Sequence, residues 1–277
     1  RRKNSVNFTN QVSDRKINIH NIDGPFVEIK ESVDSLYHVQ FIDTLNNKVM
    51  YELDLKSNHW TKCSIKYYVD WKIIIKGIDN DFYLEHLIQP KGNKILISFE
   101  SKSLGDTLAF MPYVEKFKTD KEAQVVCSTF HNHLFKAQYP DIQFVEPGSN
   151  VTGITALYRL GIFYKGDKPN RHIDMSYHPT NPLKEPLLKV ASDILGLEYI
   201  EERPKFVETK NSEFKQDKFV CIAPHATAHA KYWNRENGWQ EVINFLNDSG
   251  YKVVYISSES MNDDYHNNKL GGRLKGV

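Results

Sequence analysis

The sequence predicts an α/β protein: two Rossmann-like domains, the second incomplete, preceded by a small antiparallel β domain. Three observations predict it. Between residues 26 and 87, short apolar strand-like runs alternate with turn signals. From Lys94 onward, such runs alternate instead with helical stretches, the pattern of parallel βαβ units. A second strand–loop–helix series opens at Lys218, after a polar stretch at 208–217 that reads as a linker.

Residues 1–20 are polar and basic and read as a frayed arm or an edge strand. Strands are predicted at 26–29, 37–42, 49–53, 66–69 and 71–75, with Leu45-Asn-Asn-Lys48 as a hairpin turn. These form the β domain, residues 1–90. In the first Rossmann-like domain, 91–212, strands are predicted at 95–98, 124–128 and 143–146, the last closed by Pro147-Gly148. Helices are predicted at 107–117, 132–138 and 187–195, the last stopped by Gly196. In 213–277, strands at 218–223 and 251–256 flank a helix at 235–247, with Asn234 as N-cap and Gly250 as stop. Two strands and one helix are too little to bury a Rossmann core, so the chain is expected to lack the rest of its last domain. Two such series joined by a linker suggest domains facing each other across a cleft.

The 277 residues suffice for two or three domains, and 40% hydrophobic with 26% charged residues is ordinary for a soluble protein. A net charge of +1 argues against a nucleic-acid footprint. Cys63, Cys127 and Cys221 are far apart and form no C-x-x-C pair, so reduced thiols are expected rather than a zinc motif or a disulfide framework. There is no transmembrane-length apolar run and no signal-peptide pattern. A cytoplasmic location without membrane insertion is the expectation.

Two segments carry the chemistry. Ser98-Phe-Glu-Ser-Lys-Ser-Leu-Gly-Asp106-Thr-Leu-Ala and Ile222-Ala-Pro-His-Ala-Thr-Ala-His-Ala-Lys231-Tyr-Trp-Asn each follow a strand and run into a helix. Each therefore sits at the carboxyl end of a strand, where open α/β sheets bind ligands. Asp106 can act as a general base on an acceptor hydroxyl or can simply cap the following helix, and position does not separate the two. Ser103, Gly105 and Thr107 complete this cleft loop. In the second segment Thr227 and Lys231 can supply a hydroxyl and a positive charge to a diphosphate near a helix start, with His225 and Asn234 as further donor-side residues. His225 has a structural alternative as a strand-end cap. Trp233 reads as a core anchor against Trp239, and His229 as a surface residue. Cys127-Ser-Thr-Phe-His-Asn132 reads as a buried thiol with a capping hydroxyl rather than a catalytic pair. A base opposite an anion site is what sugar transfer from a diphosphate donor requires. Neither a Walker A loop nor a G-x-G-x-x-G fingerprint occurs.

The chain resembles the bacterial autotransporter strand-loop-strand O-heptosyltransferases, relatives of the lipopolysaccharide heptosyltransferases with the GT-B fold. The segments that carry the resemblance are Ser103-Leu-Gly-Asp-Thr-Leu-Ala109 with the following Met-Pro-Tyr-Val-Glu, Cys127 to Asn132, Ala191-Ser-Asp-Ile-Leu-Gly-Leu197 with Arg203-Pro-Lys205, and Thr227 to Asn234 with Gly238-Trp-Gln-Glu241. They run in order from about residue 95 to 257. The resemblance implies Asp106 as the base, Lys231 with Thr227 on the donor diphosphate, ADP-heptose as donor, and serine hydroxyls of an autotransporter passenger as acceptors. It implies no cofactor in this chain; an iron site, if present, would lie beyond Val277. A homo-oligomer is expected, and the isolated chain is expected to be inactive. Phe110 and His131 depart from the family pattern, where Trp is expected. The rival readings are another GT-B transferase with a different nucleotide sugar or a lipopolysaccharide acceptor, and a non-catalytic binding module.

Overall fold

The computed structural model of the chain describes residues 6–9, 14–206, 218–226, 228–233, 235–257, 267–270 and 272–277. They fall into two units divided between residues 207 and 208. The predicted linker at 208–217 lies outside the described residues.

The first half of unit 1 is all β: β1 (Val6–Thr9), β2 (Lys16–Ile22), β3 (Pro25–Lys30), β4 (Leu36–Asp43), β5 (Lys48–Lys56), β6 (His59–Lys62), β7 (Trp71–Gly77) and β8 (Tyr83–Ile88). The second half alternates: β9 (Lys94–Phe99), α1 (Leu104–Asp120), β10 (Gln124–Ser128), β11 (Gln143–Val145), β12 (Ile154–Leu160), the short pair β13 (Tyr164–Lys165) and β14 (His172–Ile173), then α2 (Leu187–Leu195). One eight-stranded sheet runs β11-β10-β9-β12-β2-β3-β6, with β1 alongside β2. Its β9–β12 part is parallel, and β2, β3 and β6 pair antiparallel. A second, antiparallel sheet runs β5-β4-β7-β8.

Period-two burial explains the layering, since alternate strand residues point to opposite faces. Ile17, Ile19, Val27 and Ile29 of the large sheet bury against Val39, Phe41, Trp71, Ile73 and Ile75 of the small one. Further along the large sheet, Ile95, Ile97, Phe99, Cys127, Tyr158 and Leu160 bury against Phe110, Val114 and Phe117 of α1 and Val190 and Ile194 of α2. One sheet thus serves a β-sandwich core and a helix-covered core. Strands from both sides of position 90 share it, so the expected boundary there does not separate two units.

Several elements differ from expectation. The 1–20 arm contributes β2, a strand inside the sheet between β12 and β3, because Ile17 and Ile19 are buried under its polar sequence. Residues 66–69 are not a strand; their backbone bonds elsewhere, Lys66 N–H to Ser176 O at 2.7 Å and Tyr68 N–H to Ile194 O at 2.8 Å. The expected helix at 132–138 shrinks to one 3₁₀ turn, Asn132–Leu134. The Asn132 side chain accepts from Thr129 N–H and donates to Val145 O, which holds this segment to the strand ends instead. Strands β8 and β12 were not expected.

Gly196 ends α2 as the pattern predicts, with φ +61 and the Gly196 and Leu197 N–H groups returning to Asp193 O and Ser192 O. Packing needs the glycine too, since a Cβ there would lie 2.2 Å from Tyr68 Cδ1. Gly196→Ala is therefore expected to destabilise unit 1 by roughly 1–3 kcal/mol through overpacking and αL strain. A lower denaturation midpoint in guanidinium at unchanged m-value is the signature to measure.

His178 is buried, and its Nε2 accepts the Phe163 N–H at 3.2 Å. Burial pulls its pKa down from 6.5 to about 4. The unfolded chain binds this proton and the folded chain does not. Stability is therefore full above pH 6.5 and falls as pH drops toward 4, by ~1.4 kcal/mol per unit within that window. His178→Gln keeps an acceptor for Phe163 without the titration. Melting temperatures at pH 7 and pH 5 should show a smaller drop in that variant than in the native chain.

Unit 2 contains β15 (Phe219–Ile222), α3 (Gly238–Asp248) and β16 (Lys252–Tyr255). β15 and β16 pair in parallel, and Ile222, Val253 and Ile243 bury with Leu274. The helix starts three residues later than expected: its N-cap is Asn237, with left-handed backbone (φ 53), and not Asn234. No helix among the described residues is long and apolar enough to cross a membrane.

Candidate active site

In unit 1 the site is built where β9 ends. Ser98 and Glu100 lead into a short loop, and α1 begins at Leu104, three residues before the expected start. Ser103 is the N-cap, so Asp106 is the third residue of the helix and not its cap. The usual structural task for an acidic side chain there is to reach back to the N-cap N–H. That N–H already donates to Ser101 Oγ at 3.1 Å. Among the described residues, nothing hydrogen-bonds or ion-pairs with the Asp106 carboxylate. It is half-buried in the first turn of the helix.

The neighbouring residues divide into exposed and structural. Ser103 and Gly105 are exposed, and a Cβ on Gly105 would meet only Ser103 Oγ at 3.8 Å, so packing does not demand glycine there. Thr107, expected in the cleft loop, is fully buried and its hydroxyl donates to Ser103 O at 3.0 Å. It braces the turn from behind.

Side chains whose role sequence reading missed hold this loop. The Arg159 guanidinium on β12 donates from Nη1 to Glu100 Oε1 at 2.7 Å and from Nε to Asp23 Oδ1 at 3.3 Å. Ser98 Oγ also donates to Glu100 Oε1 at 3.0 Å. On the other side, His131 Nε2–H donates to Lys102 O at 3.0 Å. The loop before Asp106 is thus pinned at Glu100 and at Lys102. His131 acts here as a support, while Phe110 is a core residue stacked edge-on against Phe99. Cys127 is wholly buried, and burial drives its thiol far above the usual range, which excludes it as a nucleophile.

In unit 2, Thr227 and Asn234 lie outside the described residues, as does the His229 side chain. Lys231 closes the 3₁₀ turn His229–Lys231, its N–H donating to Ala228 O at 3.0 Å. Its side chain is exposed and engages no carboxylate among the described residues. His225 is held by Tyr232 Oη, 3.4 Å from Nδ1, and by Tyr255 Oη at Nε2. That arrangement favours its strand-end structural role. Trp233 does meet Trp239 edge-to-face at 5.4 Å but is 42% exposed, so it is not the core anchor expected.

Comparison with known proteins points to one group of relatives. Residues 179–274 match the model for glycosyltransferase family 9 (heptosyltransferase). The chain is 32% identical over 227 residues to the autotransporter heptosyltransferase Aah of Escherichia coli, covering 79% of this chain and 55% of Aah. The chain is similar to the autotransporter heptosyltransferases. Its fold matches the crystal structure of the iron-containing dodecameric glycosyltransferase TibC from enterotoxigenic E. coli H10407 with a TM-score of 0.78 at 28% identity, covering 92% of this chain and 65% of TibC. A TibC complex with ADP-D-β-D-heptose matches equally well, over 90% of this chain and 63% of TibC. The chain is also 32% identical over 179 residues to the inactive autotransporter heptosyltransferase BimC of Burkholderia thailandensis, covering 64% of this chain and 41% of BimC. It spans about half the length of its curated relatives.

TibC contains iron, which raises the question of ligands here. Among the described residues no group of three His, Cys, Asp or Glu side chains is placed to hold a metal ion. Cys63 and Cys127 are buried and Cys221 is exposed, and all three are free thiols. These residues do not fit an iron site, and no chemical step below uses one.

Proposed function

We propose that the protein transfers heptose from ADP-heptose to serine hydroxyls of an autotransporter passenger protein in the cytoplasm. The single observation that carries the reading is the Asp106 carboxylate. It has no hydrogen-bond or ion-pair partner among the described residues and follows the carboxyl end of a parallel strand, in a chain related to heptosyltransferases. The proposed layout is GT-B, with residues 91–212 on the acceptor side and 213–277 beginning the donor-binding domain.

The reaction is a single inverting displacement. The serine oxygen attacks the anomeric carbon as the bond to the diphosphate oxygen breaks, and Asp106 takes the serine proton. A carboxylate is a weak base, so proton transfer in the ground state is unfavourable. Transfer becomes favourable as the attacking oxygen gains positive character. Lys231 offsets the charge developing on the departing ADP, and Thr227, four residues earlier in the sequence, is proposed to share that task. Glu100, Arg159 and His131 hold the Asp106 loop, which is positioning and not chemistry. A homo-oligomeric assembly is proposed by analogy with dodecameric TibC.

One observation favours a second reading: a relative this similar, BimC, is an inactive member, so a non-catalytic binding module has a precedent in the family. Incubating the full-length protein with an autotransporter passenger and a panel of nucleotide sugars, read by intact mass, decides. Heptose addition from ADP-heptose alone is expected. Addition from another nucleotide sugar, or transfer only to lipopolysaccharide, would move the protein to a different transferase class. No addition from any donor would favour the module.

A further inference from the structure

The face of the large sheet opposite its two cores carries a feature that the transfer chemistry does not use. The rings of His20 and Phe26 stack with centroids 4.5 Å apart and planes within 2°, and Phe26 stacks in turn on Trp60 at 5.7 Å and 23°. Strand β6 is the sheet edge, so the ladder ends at Trp60, which is 59% exposed. A single exposed aromatic is unremarkable on a protein surface. This one also walls a groove of about 600 Å³, a size ordinary for small-molecule sites. Asp23, Lys62 and Arg159 supply the groove's charged groups.

The chemistry of that lining narrows the occupant. A wholly apolar ligand would strip water from a carboxylate, an ammonium and a guanidinium without replacing their hydrogen bonds. A phosphate would meet Asp23, and the Arg159 charge is already shared between Asp23 and Glu100. A pyranose suits both halves of the groove. Its C–H face packs on aromatic rings, and its rim of neutral hydroxyls pairs with planar carboxylate and guanidinium groups. A second groove, about 180 Å³, shares Val151, Leu157 and Arg159 with the first and reaches Ser98 and Ser128. Those serines mark the carboxyl ends of β9 and β10, and β9 leads directly into the Asp106 loop. The aromatic platform and the transfer edge are thus joined on one face of unit 1.

We propose that this groove is a carbohydrate subsite, which holds a sugar already attached to the acceptor while a further hydroxyl is modified. The source of that sugar rests on the transferase reading, whereas the binding chemistry does not. Trp60 lies on an exposed edge, so Trp60→Ala is compatible with folding. Titration of the protein with methyl α-D-mannopyranoside, followed by saturation-transfer NMR, tests the binding. Trp60→Ala should weaken it about tenfold, the order of one lost aromatic platform, and Trp60→Phe should retain most of it. In the transfer assay, Trp60→Ala should leave the first addition to a passenger unchanged and slow later additions, shifting product masses toward single modification. Pyranoside binding that depends on Trp60 supports the subsite even where no transfer is detected, in which case only the transferase reading fails. No pyranoside binding by the native protein overturns the inference. Equal slowing of first and later additions overturns it too, because the groove would then be holding polypeptide.

Discussion

Asp106→Asn is expected to lower the single-turnover rate of heptose transfer by about 10²–10⁴-fold, the contribution typical of a general base, with donor affinity almost unchanged. The amide keeps the size of the carboxylate but cannot accept the serine proton. Asp106→Ala should match it, since the missing function is proton acceptance and not shape. The alternative is that Asp106 only complements the positive end of α1. In that case its loss would cost ~0.3–1 kcal/mol of stability and leave the rate alone. Ser103 is the N-cap and its N–H is already bonded to Ser101 Oγ, so capping is not the task of Asp106, and the helix-end charge is the alternative to be tested. Measuring both the unfolding midpoint and the single-turnover rate of each variant therefore distinguishes them. A folded Asp106→Asn protein transferring at near the native rate would reduce Asp106 to a helix-terminus charge.

What the sequence disclosed follows from which interactions are local. Strands β3, β4, β5, β7, β9, β10, β15 and β16 were legible because apolar and β-branched residues recur in short runs between turn residues. Helix α2 was legible from its apolar stripe and the stopping Gly196. Strand β12 hid behind Arg159: Ala156, Tyr158 and Leu160 do alternate inward, but a charged residue near the end of the run masks the period. Strand β2 hid because its buried positions include His20 and Asn21, and the Asn21 side chain is satisfied by Tyr158 Oη, 137 residues away. No local pattern announces such a partner. The same limit applied at the site. Asp106 and Lys231 stood out by their place after strands, but Glu100, Asp23 and Arg159 come together only through sheet order. The contacts of His225 were not legible either: Tyr232 lies in the same segment but is seven residues on, and Tyr255 comes from the next strand.

Lys231→Ala is expected to lower kcat/KM by about 10²-fold, with both kcat and donor affinity affected. The ammonium is proposed to meet a diphosphate whose negative charge grows as ADP departs, so the interaction strengthens toward the transition state and its loss must appear in kcat. Nothing in the structure diverts it: the side chain is exposed, sits on a short turn after β15, and engages no carboxylate among the described residues. Lys231→Arg keeps the charge but replaces a compact point donor with a planar fork, so partial activity is expected. The competing view makes Lys231 a solvated surface residue, whose removal changes stability by no more than ~0.5 kcal/mol and function not at all. Lys252→Ala, on β16, is the matched control. Donor Kd and single-turnover rate, measured for both alanine variants, separate the views. If the two lysines behave alike, the diphosphate is held elsewhere and the anion site must be sought outside the His229–Lys231 turn. If Lys231→Ala weakens donor binding but leaves the single-turnover rate of saturated enzyme intact, the lysine binds substrate and transition state equally. It would then be a recognition residue and not a source of catalysis.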